Sequence, residues 1–189
     1  MHSYPEWPFL SDTSHPLASA IWAVFIHGVI GVIVVAPIVW HSRQRILYGL
    51  IAFVGGSVLD LDHVVAAGSI DPHTLETLSG GRPETHSLGF VVALAVVTFV
   101  VWPWLSRLAR RGDGRLSRWV AAWCVFAVNC AHLLFDGAGG RERILWPAGV
   151  DGIAWVLCPV GVVVLLGLSF VVERWVSGER LGGVARAGA

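Results

Sequence analysis

Asp60 and His63 stand three residues apart, and His132 and Asp136 stand four apart. On α-helices each pair shares one face, so its two side chains can converge on a single cation. Asp62 is turned about 100° per residue from its neighbours on an ideal helix, which leaves it for a second metal, a supporting hydrogen bond or an incoming water. With His27 and His86 the set comprises three aspartates and four histidines. Imidazole and carboxylate ligands suit one or two divalent ions, zinc first, with manganese or iron as alternatives. They do not suit a thiolate-type structural zinc site, and Cys124, Cys130 and Cys158 lie in apolar runs as small buried hydrophobes would.

The elements that must position these residues read as membrane spans. Of the 189 residues 55% are hydrophobic and 14% charged, against roughly 25% charged in a soluble domain. Five apolar stretches, 17–40, 46–67, 88–105, 119–138 and 153–172, approach the roughly 20 residues that a helix needs to cross a bilayer. The expected fold is all-α: a polytopic membrane helix bundle of about five transmembrane helices, one domain over 17–176. A polar leader, 1–16, precedes it and a disordered tail, 177–189, follows. The leader contains no arginine, so it lacks the positive region of a cleaved signal peptide and the first span is expected to be retained. Charged residues interrupt the second and fourth stretches near their ends, and those interruptions are the candidate ligands.

Arginines orient the bundle. All 13 basic residues are arginine and 13 acidic residues balance them, which provides no basic surface for nucleic acid. Arg43, Arg45, Arg107, Arg110, Arg111, Arg115, Arg118, Arg174, Arg180 and Arg186 fall on one side, whereas only Arg82, Arg141 and Arg143 fall on the other. Because cytoplasmic loops collect positive charge, the N-terminus is expected outside and the C-terminus in the cytoplasm of a cell (inner) membrane protein. Trp40, Tyr48, Trp102, Trp104, Trp119 and Trp175 stand at span ends, where an interfacial aromatic belt belongs. In this topology the ends of spans two and four and the start of span three share the extracytoplasmic side. His27, about ten residues into span one, can face the same site from below.

A charged side chain at mid-membrane costs roughly 2.5–3.5 kcal/mol on insertion scales, and such residues face the bundle interior with a partner. Three aspartates near span ends cost less and still need compensation, which a divalent cation supplies. Taken singly, each residue has a plainer role. His27 can join two helices by a hydrogen bond, Asp136 can cap a helix or pair with Arg141 or Arg143, and Asp60 and Asp62 can end a shorter span in water. His2, His15, His41 and His73 are expected to be solvated.

The blocks 55–63 (GGSVLDLDH), 82–88 (RPETHSL) and 132–136 (HLLFD), followed by Leu145-Trp146-Pro147, resemble the YdjM-like family of inner-membrane, predicted metal-dependent hydrolases. The family's early His-Gly pair matches His27-Gly28, and the resemblance covers roughly residues 25–150. It implies a hydrolase with metal ligands at His27, Asp60, Asp62, His63, His86, His132 and Asp136. The chain departs from the family pattern at Leu59, where proline is common, at Gly81, where a histidine is expected, and at Pro83, which replaces glycine. If the histidine missing at 81 is a ligand or proton carrier, His73 or Glu84 must substitute, or the activity is changed or lost.

Such a site would lower the pKa of a bound water and polarise a carbonyl or phosphoryl oxygen. Glu84 or Asp62 could serve as general base, and Arg82, near His86, could hold a substrate phosphate or carboxylate or simply solvate the interface. A location at the lipid–water boundary makes a membrane lipid or a lipid-linked phosphoester the expected substrate. Two other classes use the same residues: a small metal-ion or proton transporter, for which Gly55-Gly56, Pro103 and Pro159 could break helices, and a non-catalytic protein stapled by its metal.

Overall fold

The computed structural model describes residues 16–42, 45–59, 87–108, 118–137 and 157–187, and every regular element among them is an α-helix. In chain order these are α1 (Pro16–Trp40), α2 (Arg45–Val58), α3 (Leu88–Leu108), α4 (Arg118–Gly137) and α5 (Leu157–Ala187). Three of them carry stretches long and apolar enough to cross a bilayer, Leu88–Leu105, Arg118–Phe135 and Leu157–Gly178, and shorter apolar helical segments cover Val24–Trp40 and Tyr48–Ser57. Ile46, Val100, Val163 and Val171 turn their side chains outward and are largely exposed. In water such surfaces would drive association, whereas in a bilayer they meet lipid at no cost.

The helices alternate in direction. Near the end of α2, Ser57 shares its hydroxyl hydrogen between the carbonyls of Phe53, at 3.0 Å, and Val24 near the start of α1, at 2.9 Å. Phe99 of α3 packs on Trp119 at the start of α4, with ring centroids 4.4 Å apart, and Arg118 lies over the same Phe99 ring at 4.5 Å. Cys158 in the first turn of α5 donates to the carbonyl of Leu134 near the end of α4. The starts of α1, α3 and α5 therefore gather with the ends of α2 and α4.

Helix α4 is the hub, packing against all four of the others, while α1 touches α2, α4 and α5. Helix α3 meets only α4 among the described elements, and α2 and α3 do not touch. The core joins Val34 and Val35 of α1 and Ala52 of α2 to Ala127, Val128 and Ala131 of α4. Small residues permit this close approach, as helix association in lipid requires. A Cβ on Gly28 would meet the Phe53 ring at 2.7 Å, one on Gly31 the Ala52 carbonyl at 3.0 Å, and one on Gly56 the His27 carbonyl at 2.6 Å. On the other side of the hub, Trp123 donates through Nε1 to the fully buried Ser169 of α5 at 2.8 Å.

Four sequence expectations change. Helix α2 ends at Val58, with Leu59 in a turn, and the rest of the expected second stretch, 60–67, lies outside the described residues. A continued helix would carry the Asp60 N–H to the Gly56 carbonyl, and that carbonyl is taken by a side chain of α4. Gly55-Gly56 do not break α2 but lie inside it, as the contact surface for α1. Pro103 and Pro159 do not break their helices either. Helix α3 continues past Pro103 to Leu108, and Pro159 occupies the first turn of α5, where a missing N–H has no intrahelical partner to lose. Finally, residues 177–187 are the helical end of α5 rather than a disordered tail. Residues 179–187 lie beyond the apolar stretch ending at Gly178.

Candidate metal centre

Two of the seven candidate ligands meet in the bundle interior. His27 of α1 and His132 of α4 are both buried, with ring centroids 4.0 Å apart and planes tilted by 48°. Two imidazoles that ligate one tetrahedral zinc through nitrogens at about 2.0–2.1 Å have centroids roughly 5 Å apart, so the pair would open by about 1 Å to share an ion.

His132 is held by α2. Its Nδ1 lies 2.6 Å from the carbonyl oxygen of Gly56. A carbonyl only accepts, so Nδ1 carries the proton, and in the neutral ring Nε2 presents the lone pair. Metal-ligating histidines are characteristically oriented in this way, by donating their second nitrogen to a carbonyl or carboxylate. The acceptor exists because Gly56 is among the last residues of α2, whose carbonyls lack intrahelical donors. The contact therefore ends a helix and orients an imidazole together. Gly56 also has no Cβ to hold α2 away from the His27 carbonyl, so one residue brings α1 and α2 together and supplies the anchor for α4.

The remaining candidates divide by position. Asp136 lies in α4, one turn beyond His132 on the same face of the backbone helix, and its side chain is outside the described set. Asp60, Asp62, His63, Arg82, Glu84 and His86 lie outside the described residues, as do Gly81, His73, Arg141 and Arg143. Two described anchors flank them. Leu59, immediately before Asp60, is buried. Ser87, immediately after His86, is buried and caps α3, its Oγ accepting from the Phe90 N–H at 3.3 Å and its carbonyl from the Val91 N–H at 3.1 Å. Among the described residues no group of three or more His, Cys, Asp or Glu side chains comes together, and the three cysteines are free thiols. The histidine pair would thus supply two nitrogen donors of a larger set, and its chemistry fits a divalent ion.

Sequence reading gave Gly55-Gly56 only as residues that could break a helix and missed the role of Gly56. The signal was available: glycine inside an apolar helix is unfavourable and marks close backbone approach. It also passed over Asn129, a buried amide in α4 three residues before His132.

An all-helical bundle with lipid-facing flanks and a buried polar cluster defines a membrane protein. The chain belongs to the YdjM inner membrane protein family, whose profile matches residues 23–188. No curated protein and no solved structure matches it.

Proposed function

We propose that this chain is a membrane-embedded, metal-dependent hydrolase that acts at the extracytoplasmic lipid–water interface on a lipid or lipid-linked phosphoester. The observation that carries the proposal is the pairing of His27 with His132, whose Nδ1–H is fixed on the Gly56 carbonyl so that Nε2 is offered as a ligand. Two imidazoles brought together in the interior of a membrane bundle are the ligand type that a divalent cation takes, and ionisable residues at such depth mark ion sites.

In this proposal His27, Asp60, Asp62, His63, His86, His132 and Asp136 hold one or two divalent ions, zinc foremost. The bound ion supplies Lewis acidity and a water of lowered pKa. His132 keeps its orientation through Gly56 and cannot act as the base through Nδ1, which is already donating. Glu84 takes the proton from the attacking water, and Arg82 holds the phosphate or carboxylate of the substrate by its planar fork.

Elemental analysis of protein purified in detergent tests the metal. One or two transition ions per chain, lost in His27→Ala and His132→Ala variants that remain monodisperse, is the expected result. A well-folded native protein with no bound metal would overturn the proposal. Release of products from phospholipid and lipid-phosphate substrates, abolished by Glu84→Gln with metal retained, tests the hydrolysis.

A further inference from the structure

A second feature lies directly beneath the histidine pair. A cavity of about 160 Å³ opens among α1, α2, α3 and α4, at the place where α2 and α3 face α4 without touching each other. Tyr48 and Ile51 of α2, Thr98 and Trp102 of α3 and Asn129 of α4 line it, with Ile38 of α1 and its neighbours completing the lining. Its lining is almost wholly apolar. An apolar cavity of roughly 150 Å³ takes up a molecule of benzene's size, so this one accommodates a segment of one hydrocarbon chain and has no room for two. Along α4 it extends from Ala121 to Asn129, a rise of about 12 Å. That compares with a hydrocarbon half-thickness of about 15 Å.

Asn129 is the buried amide in this lining. It is 4% exposed, and its Nδ2 donates one hydrogen to the Val125 carbonyl at 2.7 Å within the same helix. Its second N–H and its Oδ1 have no partner among the described residues. In an apolar surround such a group costs about 1–3 kcal/mol unless something completes its hydrogen bonds. It stands three residues, one turn, before His132, and Gly55, which also lines the cavity, adjoins the Gly56 that anchors His132.

We infer that the crevice binds one chain of an acyl-linked membrane lipid, with the carbonyl-bearing linkage at Asn129, the head at His27 and His132, and the chain running between α2 and α3 towards Tyr48 and Trp102. The open N–H of Asn129 donates to the linkage carbonyl. The chain enters between α2 and α3, which make no contact with each other. This assignment rests on the histidine pair as the reaction site and specifies its substrate class: a lipid drawn in by one chain and recognised by its ester or amide linkage.

The test uses the full chain in phosphatidylethanolamine vesicles doped with a photoactivatable phosphatidylethanolamine bearing a diazirine midway along one chain, in ester-linked and ether-linked forms. Crosslinked peptides are mapped by mass spectrometry. The ester probe is expected to label Thr98, Trp102 and Val125 more strongly than the lipid-facing Val163 and Val171 of α5. The ether probe, which has no carbonyl for Asn129, is expected to label the crevice about tenfold less, the equivalent of 1.4 kcal/mol. Asn129→Leu abolishes this discrimination, and Ala121→Phe or, independently, Thr98→Trp removes the crevice label while the α5 label stays. Equal ester and ether labelling of the native crevice, or label unchanged by both filling variants, overturns the assignment. Metal analysis of the same samples separates the two proposals. A labelled crevice in a metal-free protein sinks the hydrolase and leaves the lipid site, and bound metal without crevice label does the reverse.

Discussion

A Cβ placed on Gly56 would stand 2.6 Å from the carbonyl oxygen of His27, so the backbone of α2 touches the backbone of α1 where α1 carries its buried imidazole. The His27–His132 arrangement depends on this contact, because the carbonyl that orients His132 belongs to the same glycine. Gly56→Leu is therefore expected to destabilise the protein by about 1–3 kcal/mol, the usual cost of overpacking, and to lower its metal content. Gly49→Ala in the same helix is the contrast: its Cβ would meet only Val39 at 3.8 Å, so the change should be neutral or stabilising by up to about 1 kcal/mol through helix propensity. Thermal unfolding in detergent compares the two.

Anchoring and ligation by His132 can be separated. In His132→Asn a side-chain N–H remains close to where Nδ1 donates to Gly56, but nothing replaces Nε2. Thermal stability should stay within about 1 kcal/mol of the native protein, one hydrogen bond's typical net worth, while bound metal is lost. His132→Leu should lose both, because the Gly56 carbonyl is then buried without its donor. Metal retained in His132→Asn would show that Nε2 is not a ligand.

Ser169 is fully buried and accepts from Trp123 across the α4–α5 contact. Ser169→Ala should cost about 0.6 kcal/mol and at most about 1.7, the measured range for hydrogen bonds between helices in a membrane. Ser169→Leu should cost more, because there is no space for the added atoms. Both are measurable as shifts in the unfolding midpoint, and neither should change metal content.

The arginine distribution predicts that the loop between α3 and α4 is cytoplasmic. A membrane-impermeant maleimide applied to intact cells should label Thr13→Cys, and should label Asp113→Cys only after permeabilisation. The native protein, whose three cysteines all lie in helices, serves as background. The reverse pattern would put the histidine end of the bundle in the cytoplasm.

Glu84→Gln should retain metal and lower turnover by about 10²–10⁴, the contribution of a positioned general base. Gly81→His restores the histidine of the family pattern and should raise turnover if that position carries protons. Both are read as kcat on a lipid-phosphate substrate.

Much of the helical layout was legible because lipid leaves a chain few options: each span must satisfy its own backbone, so apolar length maps onto helix. The expected end of the first stretch at Trp40 and the start of the third at Leu88 coincide with the helix bounds, and the fourth stretch differs from α4 by one residue at each end. The end of α2 was not legible, because a side chain more than seventy residues away takes the carbonyl at which the helix stops. The extent of α5 was missed for another reason: beyond the membrane, helix persistence is no longer marked by hydropathy. At the site, i to i+3 and i to i+4 spacing could pair residues within a helix, such as His132 with Asp136. It could not say that α1 crosses α4 at His27, since helix neighbours are set by packing. Asn129 escaped notice because one amide in an apolar run carries no spacing signal at all.

The central place of α4 also bears on how the protein is made. Helices leave the ribosome in order, and α1 and α2 can pair as soon as both are inserted, through Gly28, Gly31 and Gly56. Until α4 follows, the Gly56 carbonyl lacks its His132 donor and His27 lacks the facing imidazole, so the histidine pair cannot form. On the proposal that this pair holds a metal, loading would wait until most of the polypeptide has been synthesised, and an incomplete product would be inactive.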